Sequence, residues 1–225
     1  MSAPFLRRSQ RARESAEEVG WHLAPGDVLF TRLTNPLGNR VADASASWTS
    51  HVGIAFADPR GGWRVLESKV PLSRASSLAD FIRRSENGSV SVRRLIGGVR
   101  PEEAIALEQA ARRRLGRVYH TGFDYSGFGQ FCSKFVHDAY LEALGVDLGC
   151  IETFSELLAR NPDPPLSFWR AWYFGRIPWR RRTVTPASLY ESQRLLTIYE
   201  RLDFAPRRAW MPARQSSISS SHSVE

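Results

Sequence analysis

Two alternating runs separated by a glycine turn constrain this chain most. Ser50-His51-Val52-Gly53-Ile54-Ala55-Phe56 and Trp63-Arg64-Val65-Leu66-Glu67-Ser68 each alternate from side to side, and Asp58-Pro59-Arg60-Gly61-Gly62 stands between them. Period-2 alternation on both sides of a Gly-rich turn predicts an antiparallel hairpin. In its first strand Val52, Ile54 and Phe56 share one face, and His51, Gly53 and Ala55 share the other. The larger side chains belong in a core, which leaves His51 above small residues expected to floor a cleft. Glu67 lies on the partner strand.

Other segments supply the rest of an α+β chain. Val28-Leu29-Phe30-Thr31 reads as a strand after the turn Ala24-Pro25-Gly26-Asp27, and Ser89 to Leu95 reads as another. Leu37, Val41 and Ala44 fall at helical spacing, and Ser76 to Arg84 looks helical. Pro101 opens a helix where its missing N–H costs nothing, with Glu102 and Glu103 at the positive end of the dipole. Gly116 stops it. Tyr119 to Gln130 holds three glycines and four aromatics and reads as a loop. The helix that follows, Phe131 to Leu144, places Cys132, Phe135, Val136 and Ala139 near one stripe, and Gly145 ends it. Thr185-Pro186 is a capped helix start.

Residues 1–20 read as a charged flexible leader, residues 21–210 as the main domain and the Ser-rich stretch 211–225 as a disordered tail. Within the domain, 162–182 stands out as an insertion or surface segment. Its part from Phe168 to Arg182 carries three tryptophans and five arginines. Such a segment could rest on an anionic membrane surface, with rings at the interface and arginines on headgroups. Packing into the core with snorkelling arginines is the alternative.

The net charge is +8 and the pI near 10.2, which favours acidic partners without choosing among them. No zinc-ligand spacing, phosphate loop or helix-turn-helix pattern supports specific nucleic-acid binding, and no metal or cofactor is expected. The N-terminus has no apolar signal core and no run is long enough to span a bilayer, so the expected location is the cytoplasm. The two cysteines, Cys132 and Cys150, cannot form a disulfide framework or an ordinary zinc site.

Cys132 in the first turn of a helix has partial positive charge and free N–H groups beside it, which favour a thiolate and could hold an oxyanion. On helix position alone, the reading of a free cysteine on an apolar stripe as a small buried hydrophobe comes first. His51 and Glu67 on neighbouring strands could serve such a thiolate as base and orienting carboxylate. His137 falls off the face of Cys132 and reads as a surface or capping residue. Cys150 reads as a buried thiol.

Several stretches in order resemble the permuted papain-like members of the NlpC superfamily, the YiiX/YebB type. They are Pro25-Gly26-Asp27-Val28-Leu29-Phe30, Ser50-His51-Val52-Gly53-Ile54, Val65-Leu66-Glu67-Ser68, Gly116-Arg117-Val118-Tyr119, Phe131-Cys132-Ser133-Lys134-Phe135-Val136 and Thr185-Pro186. The resemblance covers roughly residues 21 to 195. It implies a circularly permuted papain-like fold, an antiparallel sheet or small barrel packed against the helix that carries the nucleophile. It also implies Cys132 as nucleophile, His51 as base and Glu67 as orienter, with Tyr119, Ser50 and Ser133 as candidate substrate or oxyanion contacts. Lys134 stands where the family often has Glu, and His120 where Asp is common. The implied activity is hydrolysis of an amide through an acyl-enzyme by a peptidase or amidase, in a superfamily whose substrates include peptidoglycan-type peptides. Lipid acyl transfer of the lecithin:retinol kind and a non-catalytic binding module are the alternatives.

Overall fold

In a computed structural model, residues 3–161, 164 and 166–204 are described. The tail 211–225, the end of the expected domain and Pro162, Asp163 and Pro165 lie outside the described residues.

The hairpin forms as its alternation requires. Strand β2 (His51–Ala57) pairs antiparallel with β3 (Trp63–Glu67), in a register that sets Ile54 opposite Leu66 and Ala55 opposite Val65. The turn closes through Asp58 N–H to Gly62 O at 2.9 Å. Gly61 and Gly62 there have φ of 95° and 79°, values that side chains disfavour. Strand β1 (Val28–Leu33) lies on the other side of β2, then β5 (Ser85–Leu95) and β8 (Leu195–Arg201). A short β4 (Arg74–Ser77) forms the opposite edge. The sheet runs β4-β3-β2-β1-β5-β8, each neighbouring pair antiparallel.

Both faces of this sheet are covered. Val28, Phe30, Val52, Ile54, Phe56 and Leu66 pack on Leu107 of α4 (Pro101–Arg112) and on Phe135, Val136, Ala139 and Tyr140 of α5 (Cys132–Leu144). Leu29, Ala55, Val65, Val90 and Val92 pack on Val19 of α1 (Ala3–Gly20) and on Leu78, Phe81 and Ile82 of α3 (Leu78–Arg83). The small-residue face of β2 is therefore no open cleft floor. Ala55 is buried beneath α3, and His51 is only 2% exposed. The end of α1 differs from the expected flexible leader in the same way: its last turn packs Val19 into this second core, and Arg201 of β8 donates to Ser15 Oγ at 2.7 Å.

Local chemistry sets the remaining ends. Asn35 caps α2 (Pro36–Ala44) by accepting from Gly38 N at 2.7 Å, and Ser77 caps α3. Gly145 ends α5 in the left-handed conformation, φ 64°. Beyond it come β6 (Glu152–Thr153), α6 (Phe154–Ala159), α7 (Leu166–Trp172), β7 (Arg182–Thr183), paired with β6, and α8 (Pro186–Tyr190), which Thr185 caps.

The Arg/Trp segment divides its tryptophans. Trp169 is buried edge-on against Phe123 and Phe154. Trp172 stacks on Phe168 and donates its indole N–H to Thr121 O at 2.9 Å. These two rings hold α7 to the molecule, whereas Trp179 and Phe174 are exposed.

Candidate active site

The site forms where the first turn of α5 meets the start of β2 and the end of β3. Cys132 opens α5, whose N-terminus has no side-chain cap, so its first N–H groups are not claimed by a capping side chain. The thiol is buried and lies within hydrogen-bonding reach of the His51 ring. The other face of that ring is fixed, because His51 Nε2 lies 2.5 Å from Glu67 Oε2. Nδ1 is thus the nitrogen left for the thiol.

Glu67 is fully buried and satisfied on both oxygens. Its second oxygen accepts from Ser76 Oγ at 2.5 Å and from the Arg84 guanidinium. Burial opposes the charge on each partner. For Glu67 the His51 hydrogen bond and the charges of His51 and Arg84 outweigh burial and hold it down at about 2. For His51 burial is likewise outweighed, by the hydrogen bonds and charges of Cys132 and Glu67, and it is lifted to about 9. The pair is therefore an imidazolium beside a carboxylate near neutral pH. Neither Ser76 nor Arg84 stands out in the sequence: they lie on β4 and just past α3, where nothing but the fold brings them to Glu67.

Tyr119 joins the site from the loop before α5, its phenol within reach of Cys132. Burial, and then the Cys132 charge, pushes that phenol well above its ordinary value. Ser50 and Ser133 also border the space around Cys132, but both hydroxyls have work elsewhere. Ser50 Oγ accepts from Leu33 N at 2.9 Å, and Ser133 donates to Val184 O at 2.7 Å.

The Gly-rich loop is shaped around His120, the residue that departs from the family pattern. A Cβ on Gly122, Gly127 or Gly129 would come within 2.8, 2.7 or 2.6 Å of the His120 side chain. None of the three needs a positive φ; close approach alone excludes a side chain. Lys134, the other departure, donates Nζ to Gly127 O at 2.7 Å and so ties α5 to that loop.

Two side chains differ from expectation. His137 is fully buried, not on the surface, because residues 145–151 fold back over α5, and it donates Nδ1–H to Leu148 O at 2.8 Å. Cys150 is exposed rather than buried, since it lies on the outside of that same returning segment.

Two spaces flank the Cys–His pair and share Val41, Ser50 and Tyr119. A cleft of about 380 Å³ lies on the His51 side. A narrow apolar channel of about 40 Å³ lies on the Cys132 side, between Phe131, Leu157, Trp169 and Pro186.

A helix that opens with Cys, packed on an antiparallel sheet that carries His and Glu earlier in the chain, defines a papain-like fold in permuted order. A family model described as "permuted papain-like amidase enzyme, YaeF/YiiX, C92 family" matches residues 22–199, and the chain belongs to that family. It is 27% identical over 184 residues to "uncharacterized protein YiiX" of Escherichia coli (strain K12), covering 82% of this chain and 90% of that protein. The crystal structure of "metalloprotein yiiX" from Escherichia coli O157:H7 superposes with a TM-score of 0.73 at 26% identity, over 81% of this chain and 100% of that one. That relative is described as a metalloprotein. Among the described residues of this chain no three His, Cys, Asp or Glu side chains converge as metal ligands, and Glu67 already spends both oxygens on His51, Ser76 and Arg84. No helix among the described residues is long and apolar enough to cross a membrane.

Proposed function

We propose that the chain hydrolyses an amide bond through a Cys132 acyl-enzyme, with His51 as the proton carrier and Glu67 as the group that orients and charges it. The observation that carries this is the linked set Cys132, His51, Glu67, closed by the 2.5 Å contact between His51 Nε2 and Glu67 Oε2.

The chemistry runs in two halves. The Cys132 thiolate, its proton already held on His51 Nδ1 in the imidazolium, adds to the amide carbonyl. The resulting oxyanion faces the uncapped N–H groups of α5, and the Tyr119 hydroxyl is a further donor. As the C–N bond breaks, His51 returns the proton to the departing amine, leaving a thioester on Cys132. Water then adds to the thioester, giving a proton to the now neutral His51, and releases the acid, which restores the thiolate beside the imidazolium. Glu67 keeps its proton deficit throughout and stabilises the imidazolium from the far side of the ring. The narrowness of the channel at Cys132 favours a short apolar acyl side chain, as in a peptide, over the long chain of a lipid.

Iodoacetamide alkylation across pH tests the reading, in a Cys150→Ser background because Cys150 is exposed and labels by itself. Cys132 should react fast well below the roughly 8.5 of a free thiol. His51→Ala should slow that reaction on the order of 100-fold. Slow labelling indifferent to His51 would leave a buried, inert thiol and a binding module.

A further inference from the structure

The two spaces beside the site differ in chemistry, and the reaction assigns each to one half of a substrate. His51 borders the wide cleft but not the narrow channel, and Cys132 borders the channel but not the cleft. The group that protonates the departing amine must face the amine half, and the sulfur retains the acyl half. The wide cleft is therefore the amine side.

That cleft has one apolar wall, from Leu33, Leu37 and Val41, and one cationic wall, from Lys69, Arg83 and Arg84, with no Asp or Glu in its lining. Two of the cations are spoken for. Arg83 pairs with Asp80 at 2.9 Å, and Arg84 holds Glu67 and donates Nε–H to Asp80 O at 3.0 Å. Lys69 makes no hydrogen bond or ion pair with any described residue. It follows Glu67 by two positions at the end of β3 and is half-buried. Burial, and then the positive charge of Arg84, hold its pKa below the ordinary lysine value. A partly buried ammonium beside a second cation gains from an anion placed against it.

We propose that Lys69 is the receptor for a carboxylate on the amine half of the substrate, so that the scissile amide joins a short apolar acyl group to an amino acid with a free or side-chain carboxylate. This rests on the amidase reading above, and it is tested by binding alone. In the Cys132→Ala protein, N-acetyl-leucyl-glycine and its uncharged counterpart N-acetyl-leucyl-glycinamide differ in that carboxylate and not in shape. Isothermal titration calorimetry at low salt should show the acid binding about tenfold tighter. Lys69→Gln in the same background should bring the two ligands within about twofold, and Lys69→Arg should keep the preference. Equal binding of the two ligands, no binding of either at millimolar concentration, or a preference that survives Lys69→Gln overturns the proposal. Loss of the cysteine chemistry would show separately, in the alkylation rate of Cys132, which this comparison does not use.

Discussion

Glu67→Gln removes a charge from the centre of the site while keeping its shape, and its cost can be worked from the structure. The His51 ring is lifted from 6.5 to about 9, which at about 1.36 kcal/mol per pH unit is roughly 3 kcal/mol in favour of the imidazolium. That figure is net of burial, which works the other way, so the favourable contacts with Cys132 and Glu67 exceed it. The sign of the pH dependence follows for each partner. His51 is raised, so its contribution to stability is whole below 6.5 and is lost as pH climbs through about 9. Glu67 is lowered, so its contribution is whole above 4.5 and is lost as pH falls through about 2. The parent protein should therefore lose roughly 3 kcal/mol of unfolding free energy on this account between about pH 6 and pH 10. Glu67→Gln should be destabilised at pH 6 by about 3 to 5 kcal/mol, because Arg84 and His51 lose a shared buried partner. Its alkaline loss should be less than half the parent's. Urea unfolding at the two pH values measures both quantities, and histidine NMR titration assigns the group by comparison with His51→Ala. A variant whose alkaline slope matches the parent's, or whose His51 still titrates near 9, would refute the assignment of that charge to Glu67.

Gly127→Ala should cost about 1 to 3 kcal/mol by overpacking, since its Cβ would stand 2.7 Å from His120 Nε2. In a His120→Ala background the same change should cost under about 0.5 kcal/mol, and a thermal-denaturation double-mutant cycle reads the difference. Trp169→Ala should lose about 3 to 5 kcal/mol of stability because its ring is in the core. Trp179→Ala should stay within about 0.5 kcal/mol in the same assay.

Much of the sheet could be read from period-2 alternation and turn chemistry, because both are local. Val52, Ile54 and Phe56 face the core that α5 completes, as their size demands. The opposite face of β2 misled for an equally local reason: Gly53 and Ala55 are small because other atoms press on them. A Cβ on Gly53 would lie 2.5 Å from Val65 Cγ1, and no pattern within one strand reports that the neighbour is so close. Burial of His137 and exposure of Cys150 likewise depend on where residues 145–151 return, which is a tertiary choice. The site divides in the same manner. Cys132, His51 and Glu67 each sit at an element boundary with a motif around it. Arg84 and Ser76 reach Glu67 through placement, at a helix end and on an edge strand whose residues are ordinary in sequence.

The order of the parts along the chain has a consequence for how the protein is made. His51 and Glu67 belong to one hairpin and can find each other early, whereas α5 joins β2 only after a long intervening stretch is in place. Contacts so far apart in sequence carry a large loop-closure cost and form late. Until they form, Cys132 has neither the histidine nor the organised helix end that would make it reactive. On the proposed mechanism, a chain that lacks this packing would carry Cys132 without its activating partners. If the proposed pair forms last, the onset of rapid Cys132 alkylation would mark the last step of folding.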